Sequence, residues 1–179
     1  MFIKRLKRIL LLIQCLIRAI FHGAADQIPS SVSVIIVVPS GKLGDVVCST
    51  PVLHAIRMYL PQAYLIVAGD SELHRTLLAD SGLVDEYLNL EEKGVLTSIK
   101  KCHADVAIVT GPSFECASLF YLAGIKLVIA PTAVGGMVHD MTRPYKIIQK
   151  FIKTFPHDIE KYAPRERLKA LEPLGIISS

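Results

Sequence analysis

The feature that most restricts the fold of this chain is a series of short apolar runs that alternate with segments of helical periodicity. Most of the runs are rich in β-branched residues and bounded by turn residues, and they predict strands at 32–38, 63–69, 104–111 and 125–131. The segment 83–90 predicts a further, short strand. Strands that alternate with crossover helices form a parallel sheet that is covered on both faces. The sequence therefore predicts an α/β fold, a Rossmann-like doubly wound parallel sheet.

The rest of the chain is predicted to extend this domain at both ends. After the fifth strand and a loop-rich stretch, residues 145–174 are predicted to be helical in two pieces divided around Pro156. Small and turn-forming residues predict a linker at 24–31. A chain of 179 residues suits one domain. The predicted organisation is a helix at 1–23, the linker, and a domain at 32–176.

Residues 1–23 predict a basic amphipathic helix that lies on a membrane surface through residues 2–20. A helix places most of their large apolar side chains on one stripe: Phe2, Ile3, Leu6, Ile9, Leu10, Ile13, Leu16, Ile17 and Ile20. The uncharged run 9–17 is too short for a bilayer span, which needs about 20 apolar residues, whereas lysine and arginine suit anionic head groups. Two alternatives stay open: a helix that packs on the domain or on a partner, and a cleaved secretory signal.

The distribution of charge, cysteine and histidine argues against several classes of site. The formal net charge of +4 is concentrated in the first helix, at Lys4, Arg5, Lys7, Arg8 and Arg18, so no nucleic-acid partner is expected. The four cysteines are far apart and form no CxxC pair, and the histidines are scattered. No metal site, disulfide framework or cofactor is predicted, and a reducing compartment is expected.

The loop 39–51, with the sequence PSGKLGDVVCSTP, follows the first strand, which is where parallel sheets bind ligands. It lacks the patterns of a Walker A loop and of a GxGxxG loop. Asp45 has two possible roles, a helix N-cap, which is the commoner role for such a residue, or a carboxylate that accepts a proton. Thr50 followed by Pro51 is a second possible helix start. The helix is therefore predicted to begin either at Asp45 or at Thr50.

Several segments, in their order along the chain, resemble the family 9 glycosyltransferases, which include the lipopolysaccharide heptosyltransferases. Gly44, Asp45, Thr50 and Pro51 stand at the positions of the opening motif of that family. The last similar segment matches a His-x-x-x-x-Tyr helix that closes the first half of these enzymes. The resemblance covers roughly residues 32–176, in the segments 41–69, 78–90, 104–131 and 156–176.

The resemblance implies a GT-B fold, in which two Rossmann-like domains face each other across a cleft. By this resemblance the chain is expected to correspond to the amino-terminal domain, which holds the acceptor, whereas the other domain of these enzymes holds a nucleotide-sugar donor of the ADP-heptose type. Asp45 is implied to be the general base that deprotonates the acceptor hydroxyl, with inversion at the anomeric carbon and without a metal. The residues expected to bind the acceptor are Lys42, Gly44, Thr50, Arg143 and Lys146.

The resemblance also implies how far this chain can act alone. The carboxyl-terminal donor domain is expected to be absent, so the chain is expected to be inactive or nearly so unless a donor domain is supplied. It is expected to be peripheral on the inner, cytoplasmic face of the cytoplasmic membrane, where the acceptor is a lipid-linked saccharide. One alternative is a non-catalytic, membrane-associated saccharide-binding or scaffold protein. Another is an unrelated Rossmann-like phosphate-binding enzyme.

Overall fold

The computed structural model describes residues 2–39, 43–69, 72–79, 81–135 and 141–176. The helices are α1 (Phe2–His22), α2 (Leu43–Tyr59), α3 (Glu72–Ala79), α4 (Val95–Lys101), α5 (Phe114–Ala123), α6 (Arg143–Ile148) and α7 (Ala163–Leu168). The strands are β1 (Val34–Val38), β2 (Tyr64–Gly69), β3 (Glu86–Asn89), β4 (Val106–Val109), β5 (Leu127–Val134) and β6 (Lys153–Asp158). Two 3-10 helices, Gln149–Phe151 and Lys169–Leu174, follow α6 and α7.

The six strands form one parallel sheet in the order β3-β2-β1-β4-β5-β6. The chain adds strands outward from β1 as far as β3, then crosses back to β4 and adds strands in the other direction. β1 and β4 are therefore neighbours at the switch point of the sheet, and doubly wound proteins bind ligands beyond the carboxyl ends of such strands. The predicted α/β class, a Rossmann-like doubly wound sheet, is confirmed.

Helices cover both faces of the sheet, so the central strands are buried on both sides. Successive residues of a strand point to opposite faces. Ile36 and Val38 of β1 pack with residues of α1, α4, α5 and α6, whereas Ile35 and Val37 pack with residues of α2, α3 and α7. This double burial explains why the strands are nearly continuous apolar runs rather than alternating ones.

The segment 145–174 differs from the prediction because a sixth strand lies inside it. β6 pairs with β5 along its whole length, and Pro156 lies opposite Thr132. Proline has no N–H to donate, and it is tolerated here because β6 is an edge strand. A helical piece does lie on each side of Pro156, as predicted, but the strand between the two pieces was not predicted. The prediction of a helix that includes the His-x-x-x-x-Tyr segment was wrong, because His157 lies in β6 and Tyr162 precedes α7.

Helix α2 begins earlier than either predicted start. Leu43 is already helical, and the helix continues through Pro51 to Tyr59. Pro51 cannot donate to the carbonyl of Val47, and Thr50 Oγ1 donates to that oxygen instead, at 2.8 Å. Thr50 therefore compensates for the proline inside the helix, and the prediction that it caps a new helix was wrong.

One face of α1 packs on the domain, mainly against α5. Cys15 is fully buried there, and the Arg18 guanidinium lies 5.3 Å from the centre of the Tyr121 ring. Arg8 Nε forms an ion pair with Glu115 Oε1 at 2.5 Å. The alternative that this helix packs on the domain is therefore confirmed for one of its faces.

The segment that follows α1 is bonded to the domain. Ala25 is buried, its N–H donates to Phe151 O at 2.7 Å, and its carbonyl accepts from Val128 N at 2.9 Å. The Tyr121 hydroxyl donates to Gly23 O at 2.6 Å. The first residues of the predicted linker at 24–31 thus hold α1 to the sheet instead of separating the two.

Candidate functional site

Asp45 lies in the first turn of α2, just beyond the carboxyl end of β1. Its side chain is 36% exposed, and its Oδ1 accepts from Arg167 Nη2 at 2.5 Å. Arg167 is buried in α7, and its Nη1 also donates to Asp45 O and, at 2.8 Å, to Ser49 Oγ. A carboxylate in the first turn of a helix interacts favourably with the helix dipole. Here a buried arginine also fixes its orientation.

Two buried hydroxyl groups connect this ion pair to the switch point of the sheet. Ser49 Oγ donates to Asp45 O at 2.8 Å and lies 3.0 Å from Thr110 Oγ1. Thr110 directly follows β4, and its hydroxyl donates to Val38 O at the end of β1, at 3.1 Å. These contacts hold Asp45 and Arg167 at the carboxyl ends of β1 and β4.

Asp45 was a candidate from the sequence alone, whereas Arg167, Ser49 and Thr110 were not. The contact between Asp45 and Arg167 joins residues 122 positions apart, so no local pattern contains it. The sequence around Arg167 gives only a weak indication that this arginine is buried. Arg167 lies in a run of charged residues and leucines at 165–171, in which buried and exposed charges look alike.

Further charged groups surround Arg167. Burial alone would raise the pKa of Glu166, but Lys169 Nζ at 2.6 Å and the N–H of Asp158 at 2.9 Å both donate to Glu166 Oε2, and together they lower that pKa. His157 is buried, and its pKa is lowered first by burial and then by the charge of Arg167. The imidazole of His157 is therefore neutral at pH 7.

The neutral, buried His157 predicts that the chain loses stability as the pH falls below 6.5, the ordinary pKa of histidine. Below that pH the unfolded chain binds a proton at this side chain while the folded chain does not, so acid favours unfolding. The loss accumulates down to the lower pKa of folded His157 and then stops. Chemical unfolding between about pH 7.5 and pH 5 measures this slope.

Two substitutions test the assignment of the slope. We expect His157→Gln to remove it and His54→Gln, at an exposed position of α2, to leave it in place. Glu166 does not interfere, because its pKa is lowered from 4.5 and its contribution is lost only in more acidic solution. A slope that persists in His157→Gln would assign the proton to another group.

A cavity of about 450 Å³ lies beyond the carboxyl ends of β1, β2 and β4. Ser113 lies in its wall and caps α5, since Ser113 Oγ accepts from Cys116 N at 3.2 Å. Asp45 is not among the described lining residues, because α2 lies on the other face of the sheet. The cavity and the ion pair nevertheless share the edge at which doubly wound sheets bind ligands. Other residues in the cavity wall are Arg8, Val38, Gly69, Val109, Gly111, Phe114, Glu115, Leu119 and Thr142.

Three of the residues predicted to bind an acceptor belong to the loop and helix around Asp45. Lys42 lies outside the described residues. Gly44 is exposed, and a side chain added at this position would have open space around it, so a ligand can approach the backbone closely. Thr50 lies nearly two turns further along α2 and is only partly exposed. The acceptor-binding role of these residues stays a prediction.

The other two, Arg143 and Lys146, are exposed on α6. Neither is among the described residues of the cavity wall, although Thr142, which caps α6, is. Their role also stays a prediction. Within the described ranges, no three His, Cys, Asp or Glu side chains are grouped closely enough to hold a metal ion.

No protein-family model matches the chain, and no curated protein matches it. Solved structures do match. The glycosyl transferase family 9 protein from Veillonella parvula has a TM-score of 0.62 and 21% identity, over 82% of this chain and 42% of that one. The E. coli heptosyltransferase WaaC with ADP has a TM-score of 0.63 and 14% identity, over 82% and 48%. The E. coli ADP-heptose lps heptosyltransferase II has a TM-score of 0.49 and 25% identity, over 54% and 30%.

The first two matches show that this chain shares a fold with part of each of those proteins. Because the sequence identity is only 21% and 14%, these matches show a shared fold and nothing further. The chain spans less than half the length of each of the three solved proteins.

Proposed function

We propose that this chain is the acceptor-binding part of a family 9-type glycosyltransferase, which transfers a sugar from a nucleotide-sugar donor to a lipid-linked saccharide, as in lipopolysaccharide core synthesis. The observation that carries the proposal is the position of Asp45, which buried Arg167 holds at the switch point of the sheet. The motif order along residues 32–176 and the fold shared with a family 9 protein and a heptosyltransferase support it.

In the proposed reaction, Asp45 accepts the proton of an acceptor hydroxyl while the oxygen attacks the anomeric carbon of the donor sugar. The bond from that carbon to the nucleoside diphosphate breaks as the glycosidic bond forms on the opposite face, so the configuration is inverted. General-base catalysis of this kind contributes about 10²–10⁴-fold to a rate. Arg167 binds Oδ1 of Asp45 and touches neither substrate, so it is a positioning residue.

The acceptor is proposed to lie along the carboxyl edge of the sheet and to enter the cavity. A volume of about 450 Å³ is within the range of small-molecule pockets. Ser113 and Thr142 offer hydroxyl groups to a sugar, and the apolar part of the wall offers surface for the faces of its ring. Lys42, Arg143 and Lys146 are proposed to contact phosphate or carboxylate groups of the acceptor.

The donor is proposed to bind to a second domain, whether in a longer protein or on a separate polypeptide. Transfer requires both substrates to be aligned at one site, so this chain by itself is proposed to bind the acceptor without turnover. A non-catalytic saccharide-binding protein would bind the same acceptor. The two functions differ in whether transfer occurs when a donor domain is present.

Binding of the acceptor is expected to protect Cys116 from alkylation. Cys116 lies in the first turn of α5, is partly exposed and lines the cavity, so a saccharide bound there covers its thiol. The probe is a deacylated inner-core oligosaccharide of lipopolysaccharide at saturating concentration. We expect it to slow the reaction of Cys116 with iodoacetamide several-fold, as followed for each cysteine by mass spectrometry.

Cys102 is the internal control. It is also partly exposed but lines a different cavity, beside Glu86 and Lys101. Burial raises the pKa of Cys102, which lowers its reactivity below that of an exposed cysteine. The oligosaccharide should leave its rate unchanged. Protection of neither cysteine, or of both equally, would contradict binding in the proposed cavity. Protection of Cys116 by inorganic phosphate alone would favour a phosphate-binding enzyme.

A further inference from the structure

Helix α1 has two faces in different environments. The face toward α5 carries Arg8, Cys15 and Arg18, which are held by the contacts described above. The opposite face, called here the outward face, is a continuous row of exposed large aliphatic side chains. It comprises Leu6, Ile9, Leu10, Ile13, Ile17 and Ile20.

The outward face is more apolar than the face that packs on the domain. Ile20 is 80% exposed, and Phe21, at the end of the same face, is 75% exposed. The row runs from Leu6 to Ile20, so at 1.5 Å per residue it extends over roughly 20 Å. Contiguous apolar surface of this extent marks a site of protein or membrane interaction.

The charges along α1 indicate which kind of surface covers the outward face. At 3.6 residues per turn, Arg5 and Lys7 fall on its two opposite edges, and both are exposed. Helix α1 contains no Asp or Glu. Arg8 and Arg18 contact the domain and so do not face the same surface as Arg5 and Lys7. An apolar row with a cation on each edge fits the hydrocarbon and the negative head groups of an anionic leaflet.

We propose that the outward face of α1 docks on an anionic lipid bilayer, with the helix lying in the plane of the interface. A second copy of the chain fits less well, because it would bring Arg5 and Lys7 close to like charges. Among the described residues, no helix is long and apolar enough to cross a membrane. Arg8 lines the cavity from the opposite face of α1, so docking would place the cavity one helix diameter, about 10 Å, from the lipid surface.

Cosedimentation of the full chain with vesicles tests this proposal. We expect binding to vesicles that contain phosphatidylglycerol and at least about tenfold weaker binding to pure phosphatidylcholine. Ile9→Glu with Ile20→Glu should lower the affinity by about 100-fold or more, because both side chains are placed to enter the leaflet. Arg5→Gln with Lys7→Gln should lower it about 30-fold and reduce its dependence on salt.

The matched control is Ile28→Glu with Met58→Glu, which adds the same charges at positions that are 61% and 71% exposed outside α1. It should bind vesicles like the wild type. Thermal unfolding checks that each variant is folded. If the Ile9→Glu, Ile20→Glu variant does not fold, the Arg5→Gln, Lys7→Gln variant still tests the role of the charges in vesicle binding.

Three outcomes would overturn the proposal. The outward-face variants could bind vesicles with the wild-type affinity, or the wild type could bind neutral and anionic vesicles equally. The chain could also fail to bind vesicles and instead dimerise through this face, as measured by ultracentrifugation. The measurement needs neither acceptor nor donor, so its result is independent of the proposed function. Asp45→Asn should bind vesicles like the wild type.

Discussion

Replacement of Asp45 by asparagine is expected to lower sugar transfer by about 10²–10⁴-fold in a preparation that contains a donor-binding domain. Asparagine keeps the size of the side chain and an oxygen that can accept from Arg167 Nη2, but an amide cannot take up the acceptor proton. The hydroxyl then remains a poor nucleophile. Initial rates at saturating donor and acceptor measure the effect on kcat, and protection of Cys116 by the oligosaccharide should persist.

The variant Asp85→Asn is the matched control, because it weakens an ion pair of similar exposure that is not part of the proposed site. The Asp85 side chain is 34% exposed, close to the 36% of Asp45, and its Oδ2 pairs with Arg57 Nη2 at 2.6 Å. It precedes β3, at the amino edge of the sheet, far from the proposed site. We expect Asp85→Asn to transfer sugar at the wild-type rate per folded molecule. Wild-type transfer by Asp45→Asn would refute the assignment of the base, and equal losses in both variants would assign the effect to stability.

Most of the strands that the sequence predicted correctly are buried on both faces; the exception is β3, an edge strand in which Glu86 and Asn89 are exposed. A run such as Val34–Val38 must be apolar throughout, so its pattern reveals it. β6 has the sequence KTFPHD, alternates between buried and exposed positions and contains Pro156. That pattern is permitted at an edge, which is known only once the order of strands is known.

Two features of the helices could not be predicted from the sequence, for similar reasons. Thr50 before Pro51 is a good cap pattern, and only the contact with Val47 O shows that the hydroxyl serves the interior of α2. For α1, periodicity revealed the apolar row but not which face contacts the domain. That face was decided by Glu115 and Tyr121, more than a hundred positions away from Arg8 and Arg18 in the sequence.

The candidate site was predictable only in its position on the sheet. The loop after the first strand is where a doubly wound sheet binds ligands, so Asp45 could be singled out from topology. Arg167 could not, because its partner is set by how α7 packs on α2, and the segment before α7 was predicted to be helical when it is β6. An error in one element thus hid the residue that orients the carboxylate.

Removal of the Arg167 side-chain charge is expected to be the most destabilising single change at this site. Arg167→Met keeps much of the buried volume but removes the bonds to Asp45 O, Asp45 Oδ1 and Ser49 Oγ. Removing one partner of a fully buried ion pair costs about 3–5 kcal/mol. Because Asp45 is partly exposed and can be hydrated, we expect the free energy of unfolding to fall by about 2–3 kcal/mol. Urea unfolding measures this change.

Two further variants separate the positioning role of Arg167 from its role in stability. Arg165→Met, at an exposed position of the same helix, should change stability by less than about 0.5 kcal/mol. Arg167→Lys keeps the charge but cannot reach Asp45 and Ser49 together with a planar fork. We expect it to recover part of the stability while kcat stays low and the KM for the acceptor stays near that of the wild type. Full recovery of kcat in Arg167→Lys would show that a positive charge at this position is sufficient for catalysis by Asp45. The proposed positioning role of the guanidinium group would then be wrong.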